Sequence, residues 1–223
     1  LRRLHYRRLE TEPDMVLRIL PHWRRMEEYL QELKAKYRKS AHTIFRAFDE
    51  SGNELERLEN LNAHADTLYA LYKAVESRAK VSLASFPEGY LPALAKALGP
   101  DHFRCTVARR KDKILGFMTT LRDGDTAIAH YAGLDYEANA AAPVYLRLLY
   151  TVISDALEWQ CRRISFGRTA LDAKARLGAQ PAPLVTWLRH RNPVANVAVG
   201  ALVRLVPHET APPRHPMKQP EIE

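Results

Sequence analysis

The sequence predicts an α/β (α+β) domain built on a mixed, mostly antiparallel sheet flanked by helices. Apolar residues recur at helical spacing up to about residue 98. The period then falls to two over three successive runs separated by short polar turns, and helix-like and strand-like runs alternate thereafter.

Trp23, Met26, Leu30, Leu33 and Tyr37 share one helical stripe, which predicts a helix to about His42. The turn formers Asp49-Glu50-Ser51-Gly52-Asn53 end the first segment, and Leu61, Ala65, Leu68, Tyr72 and Val75 set the register of a second helix. A third runs from about Pro87 to Leu98 and stops at Gly99-Pro100. Phe103 to Arg109, Ile114 to Leu121 and Thr126 to Leu134 alternate as strands, and the turns Arg110-Lys111-Asp112-Lys113 and Arg122-Asp123-Gly124-Asp125 join them into a meander. A helix carrying Val144, Leu148, Val152, Ala156 and Trp159 follows. After it come a short strand Arg163 to Phe166, a small helix from about Ala170 to Leu177 closed by Gly178, and a strand from Leu184 to His190. The Ala- and Val-rich run Val194 to Val206 reads as helix rather than strand.

These elements suggest a helical segment over 1–59, a catalytic-sized domain over 60–206 and a disordered Pro-rich tail over 207–223. A start at Leu1, already inside a charged, helix-like pattern, suggests a piece of a longer protein. No apolar run approaches the roughly 20 residues that span a bilayer, and no signal-peptide core is present, so a cytoplasmic setting is expected. Cys105 and Cys161 sit in apolar stretches without metal-ligand spacing and read as reduced core residues. Much of the net charge of +8 lies in residues 1–48, with twelve Lys/Arg against six acids. That excess is either a solvated helical face or a surface for an anionic ligand such as nucleic acid. There is no glycine-rich phosphate loop, His-Glu-x-x-His or Gly-x-Ser-x-Gly elbow, so metal and serine-nucleophile catalysis are not expected.

The order of elements resembles that of GNAT acyltransferases. Lys113-Ile114-Leu115-Gly116-Phe117 resembles the second-to-third strand crossing of that superfamily, and Gly133-Leu134-Asp135-Tyr136 stands where its fourth strand ends. Phe166-Gly167-Arg168-Thr169-Ala170, with Lys174 and Leu177-Gly178-Ala179, is similar to the branch related to Fem-type peptidoglycan aminoacyltransferases. Pro21 to Arg38 also resembles the helical segment that joins two lobes in such proteins.

The resemblance implies an N-acyltransferase moving an acyl group from acyl-CoA, used as co-substrate without a metal, to an amine by direct attack in a ternary complex. The acceptor would be a small-molecule or peptidoglycan-precursor-like amine. Aminoacyl-tRNA as donor, held by the basic N-terminal helix, and a non-catalytic GNAT-fold binding module are the alternatives. The resemblance also implies that the fourth and fifth strands splay to admit the pantetheine arm, while the next helix points its amides at the pyrophosphate. That places Tyr131, Ala132, Asn139, Ala140 and Ala141 beside the donor. The loop 137–143 lacks the superfamily's basic, glycine-bearing pattern.

Aminolysis of a thioester needs a base for the amine and a proton for the thiolate. His130 suits the first task, or else packs as a core histidine. By strand alternation Tyr131 faces away from it, so both line one pocket only if the strand bulges. Asp135 either orients the amine or caps a helix, and Tyr136 either donates to the thiolate or packs. Gly167, Arg168 and Thr169 sit at the mouth of the cleft. Arg168 is a candidate for phosphate or carboxylate contact, or a salt bridge; Thr169 is a candidate N-cap with a second duty to ligand. Lys174 lies four residues before Gly178, where many GNAT enzymes carry the tyrosine that protonates the thiolate. It would supply that proton, hold phosphate, or be a surface lysine.

Overall fold

The computed structural model describes residues 2–78, 85–203 and 211–218. Its elements are β1 (Arg7–Arg18), α1 (Met26–Glu32), α2 (Ala35–Glu50), β2 (Glu54–Arg57), α3 (Ala65–Glu76), α4 (Tyr90–Leu98), β3 (Phe103–Arg110), β4 (Lys113–Asp123), β5 (Thr126–Leu134), α5 (Tyr136–Ala141), α6 (Val144–Glu158), β6 (Arg163–Ser165), α7 (Leu171–Arg176), β7 (Gln180–Leu188) and α8 (Pro193–Val203). The strands form one seven-stranded sheet in the order β2-β3-β4-β5-β6-β1-β7, antiparallel except for β5–β6.

The meander β3–β4–β5 stands as its period-two pattern predicts. The expected all-helical front does not: β1 is an interior strand and β2 an edge. β1 is paired with β6 through Val16, Leu17 and Arg18, and with β7 from Arg7 to Val16. Its partners lie some 150 residues or more away in sequence, so no local pattern announces the strand, and tertiary pairing overrides propensity. The expected single helix from Trp23 is two, broken at Leu33 and Lys34.

β7 begins earlier than its apolar run suggested and includes Pro181 and Pro183. It is an edge strand, so prolines that cannot donate are tolerated there. The tail also departs from expectation. Residues 211–218 lie against the body, with Pro216 O accepting from Lys34 N at 2.8 Å, Lys218 N donating to Glu32 O at 2.9 Å, and Met217 bridging Leu33. Residues 207–210 and 219–223 fall outside the described residues.

Two apolar layers cover the sheet. One joins α1, α2, α6 and α7 to Met15, Leu17, Leu115, Met118, Ala127, Leu134 and Ile164. The other joins α3 and α4 to Phe103, Cys105, Val107, Ile114 and Phe117. Gly133 lets α3 approach β5 closely: a Cβ there would stand 2.2 Å from the Phe117 ring and 2.7 Å from Leu71 Cβ.

Candidate functional site

β5 and β6 pair over only three residues: Thr126 with Arg163, Ala127 with Ile164, and Ile128 with Ser165. Beyond that point they diverge. The chain after Ser165 stays with β1, where Phe166 N donates to Met15 O at 2.8 Å and Met15 N to Gly167 O at 3.2 Å. Among the described residues, no strand pairs with residues 129–134 on this side. β4 residues Leu115 to Thr120 are buried, whereas Ala129, His130, Tyr131 and Ala132 on their neighbour are half-exposed. The peptide groups of residues 129–132 that face away from β4 thus have no strand partner among the described residues.

His130 and Tyr131 sit at a bulge. Thr120 pairs with Ala129 and Met118 with Ala132, so Thr119 opposes both His130 and Tyr131. The Thr119 hydroxyl fills the gap, accepting from Tyr131 N at 2.9 Å and donating to Tyr131 O at 3.1 Å. Strict alternation would have sent the two side chains to opposite faces. The bulge brings their rings within 4.4 Å of each other, with Tyr90 about equally far from both at 6.1 and 6.2 Å. Phe86 and Tyr72 back Tyr131 at 4.8 and 5.6 Å, and the Tyr72 hydroxyl donates to Glu76 at 2.8 Å. Burial holds the His130 pKa below its ordinary value, so the imidazole is neutral at pH 7. Its Nδ1 is buried without a hydrogen-bond partner among the described residues.

The other arm carries Gly167 and Lys174. Gly167 lies two residues past the last β5–β6 pair, as His130 does on its own arm. Lys174 is 3% exposed, makes no ion pair among the described residues, and has its Nζ 3.9 Å from where a Cβ on Gly167 would stand. Burial lowers its pKa to about 8, with Asp14 opposing the shift. Asp14, at a bulge in β1, accepts from Ser165 Oγ at 2.7 Å and from Gly167 N at 2.9 Å, so it fixes the strand end that faces the slot. Arg168 and Thr169 are exposed. Thr169 does not cap α7: the N-cap is Ala170, in the left-handed region at φ 51° and without a side-chain cap.

The remaining candidates lie past the end of β5. Asp135 caps α5, accepting from Glu137 N and Ala138 N at 3.0 Å, and pairs with Lys113 at 2.7 Å. The Lys113 hydrogen bond leads the forces that lower its pKa, so it is a committed carboxylate. The Tyr136 ring lies 3.6 Å from the Arg78 guanidinium carbon. Asn139 Oδ1 accepts from Tyr145 N at 2.8 Å, occupying an amide in the first turn of α6. Ala140 and Ala141 are exposed on α5.

Sequence reasoning missed Thr119, Tyr90 and Asp14. A threonine beside a strand and a tyrosine opening a helix carry no local signal, and Asp14 lay in a segment read as helix. A cavity of about 560 Å³ lies elsewhere, between β2, β3 and α4. Its Arg57 and Arg104 are both engaged by Asp155 and Glu158, at 2.8 to 3.2 Å.

Among solved structures, the chain is similar to FemX, with a TM-score of 0.54 at 12% identity, covering 70% of this chain and 52% of that one. It is similar to the C-terminal domain of a provisionally named lysylphosphatidylglycerol synthetase of Agrobacterium fabrum, with a TM-score of 0.59 at 12% identity, covering 91% and 67%. L-PGS from Bacillus licheniformis matches with a TM-score of 0.55 at 13% identity, covering 92% and 69%. The chain thus spans about half the length of FemX, and at these identities the likeness is one of fold. No curated protein matches by sequence. The family described as Acetyltransferase (GNAT) domain matches residues 35–175, well over half of the chain. With this match, the chain belongs to the GNAT acetyltransferase-domain family.

Proposed function

We propose that the protein transfers an acyl group from acyl-CoA to an amine by direct attack in a ternary complex. The observation that carries this is the open edge of β5 beyond Ile128, with its bulge at His130 and Tyr131. A thioester arm lying along residues 129–134 would take up the unpaired peptide groups as a further strand does. Its carbonyl would then lie at the bulge, between the His130 face and the Lys174 arm. His130, neutral at pH 7, accepts the proton of the attacking amine. Lys174, with a pKa of about 8, is matched to donating a proton to the departing thiolate. Tyr131 and Ala132 flank the arm, Arg168 and Thr169 stand at the mouth, and Asp135 and Tyr136 shape its rim. The folding unit in this reading begins at β1, not at residue 60.

Isothermal titration with acetyl-CoA, followed by a thiol-release assay over a panel of primary amines, tests the reading. Binding with amine-dependent thiol release is expected; absence of both overturns it. A second reading, an aminoacyl-tRNA donor, is favoured by the self-capped first turn of α6, where Asn139 already takes an amide that a pyrophosphate would use. It requires no response to acetyl-CoA and a salt-sensitive shift of charged tRNA on a native gel.

A further inference from the structure

Far from the slot, three segments meet at the end of the β1–β7 ribbon. Arg7 pairs with Leu188, and Asn196 on α8 ties the segments together, its Nδ2 donating to His5 O at 2.9 Å and its Oδ1 accepting from His190 N at 3.0 Å. Large apolar side chains around this knot are uncovered: Leu4 is 57% exposed, Leu188 39% and Val197 66%. α8 is apolar on every side by sequence, reading Pro-Val-Ala-Asn-Val-Ala-Val-Gly-Ala-Leu-Val, apart from the buried Asn196. A helix of that composition is ordinarily covered by protein or lipid.

Basic charge predominates here, with Glu10 and Glu12 next along β1. From Arg2 to Leu9 and from Leu177 to Val203 there is no Asp or Glu, while the two stretches carry six arginines, Arg2, Arg3, Arg7, Arg8, Arg189 and Arg191, together with His5 and His190. Arg3, Arg189 and Arg191 are exposed. Nucleic acid would use the arginines and leave the aliphatic side chains wet. An anionic bilayer satisfies both, its headgroups meeting the guanidinium groups while the aliphatic side chains enter the acyl boundary.

We propose that this end of the molecule docks on the surface of a membrane rich in anionic phospholipid. At 11 residues α8 is too short to cross, and no described helix is long and apolar enough to do so, so the contact is peripheral. β1 runs from the docking end to Asp14 beside the slot, seven residues further on, which sets the slot roughly 20 Å from the contact.

Co-sedimentation of the full chain with phosphatidylglycerol and with phosphatidylcholine vesicles tests this. Binding to the anionic vesicles alone is expected, weakening at high salt. The R189E/R191E double variant should lower partitioning by at least about tenfold, given roughly fivefold per basic residue at such a surface. Val197→Gln, and separately Leu4→Gln, should weaken binding at unchanged net charge. K36E/K39E, which makes the same charge change on exposed α2 positions, should bind as the parent does. Thermal melting confirms that each variant is folded. Equal binding to phosphatidylcholine overturns the proposal. So does binding that survives both glutamine substitutions and is displaced by polyuridylate RNA, which would mark a general polyanion surface.

Discussion

One hydroxyl holds the bulge that defines the site: Thr119 Oγ1 engages both the N–H and the C=O of Tyr131, at 2.9 and 3.1 Å. A side chain on β4 thus substitutes for the ladder partner that the extra residue of β5 displaces. It keeps the His130 and Tyr131 rings on one face.

Thr119→Val retains the shape of a fully buried side chain and removes the hydroxyl, leaving the N–H and C=O of the half-buried Tyr131 without their partner. A loss of about 1–3 kcal/mol is expected in urea unfolding. Acyl transfer should fall by more than the stability change explains, because the bulge positions His130.

His130→Gln should remove the acidic limb of the pH–rate profile. Burial lowers the folded pKa of His130, so the neutral base persists below the usual imidazole value and activity declines only as pH falls through that lowered pKa. The kcat/KM profile of the parent enzyme and the variant from pH 4.5 to 8 (about the span in which histidine titrates) shows this directly.

Lys174→Met should stabilise the fold near neutrality while depressing kcat. The folded pKa of about 8 lies below the unfolded value, so the buried charge imposes its full penalty below pH 8, and that penalty is relieved as pH rises toward the unfolded pKa. A gain of roughly 2–3 kcal/mol at pH 7 is the upper range for such a shift. Urea midpoints at pH 7 and pH 10 should differ for the parent by more than for the variant, and the alkaline limb of kcat near pH 8 should vanish.

Asp14→Asn keeps the side-chain shape and removes the negative charge that opposes the Lys174 shift. The Lys174 pKa should then fall below about 8, and the alkaline limb of kcat should move to lower pH. An unmoved profile would show that Asp14 acts only through Ser165 and Gly167.

Gly133→Ala forces a methyl group against Phe117 and Leu71. Overpacking of about 1–3 kcal/mol is expected in thermal or urea unfolding. α3 must retreat from β5 to accept the methyl group.

The meander was legible because its alternation and turns are local, and α6 because Val144, Leu148 and Val152 repeat at helical spacing and are all fully buried. His130, Gly167 and Lys174 were legible as candidates because each stands at a chemically informative place within a short stretch of sequence. Asp135 was legible as a cap for the same reason, since its amide partners lie two and three residues on.

By itself, then, the sequence determined the alternation of helices and strands from α3 to α7 and the positions of the turns between them, since these depend on neighbours within a few positions. Only the tertiary structure decided that β1 lies inside the sheet, that β5 and β6 part after three pairs, and that Asp14 reaches Gly167. Each of those is a pairing between segments dozens to 150 residues apart. The hydrogen bonds that fix such a pairing exist only once the chain has brought both partners together.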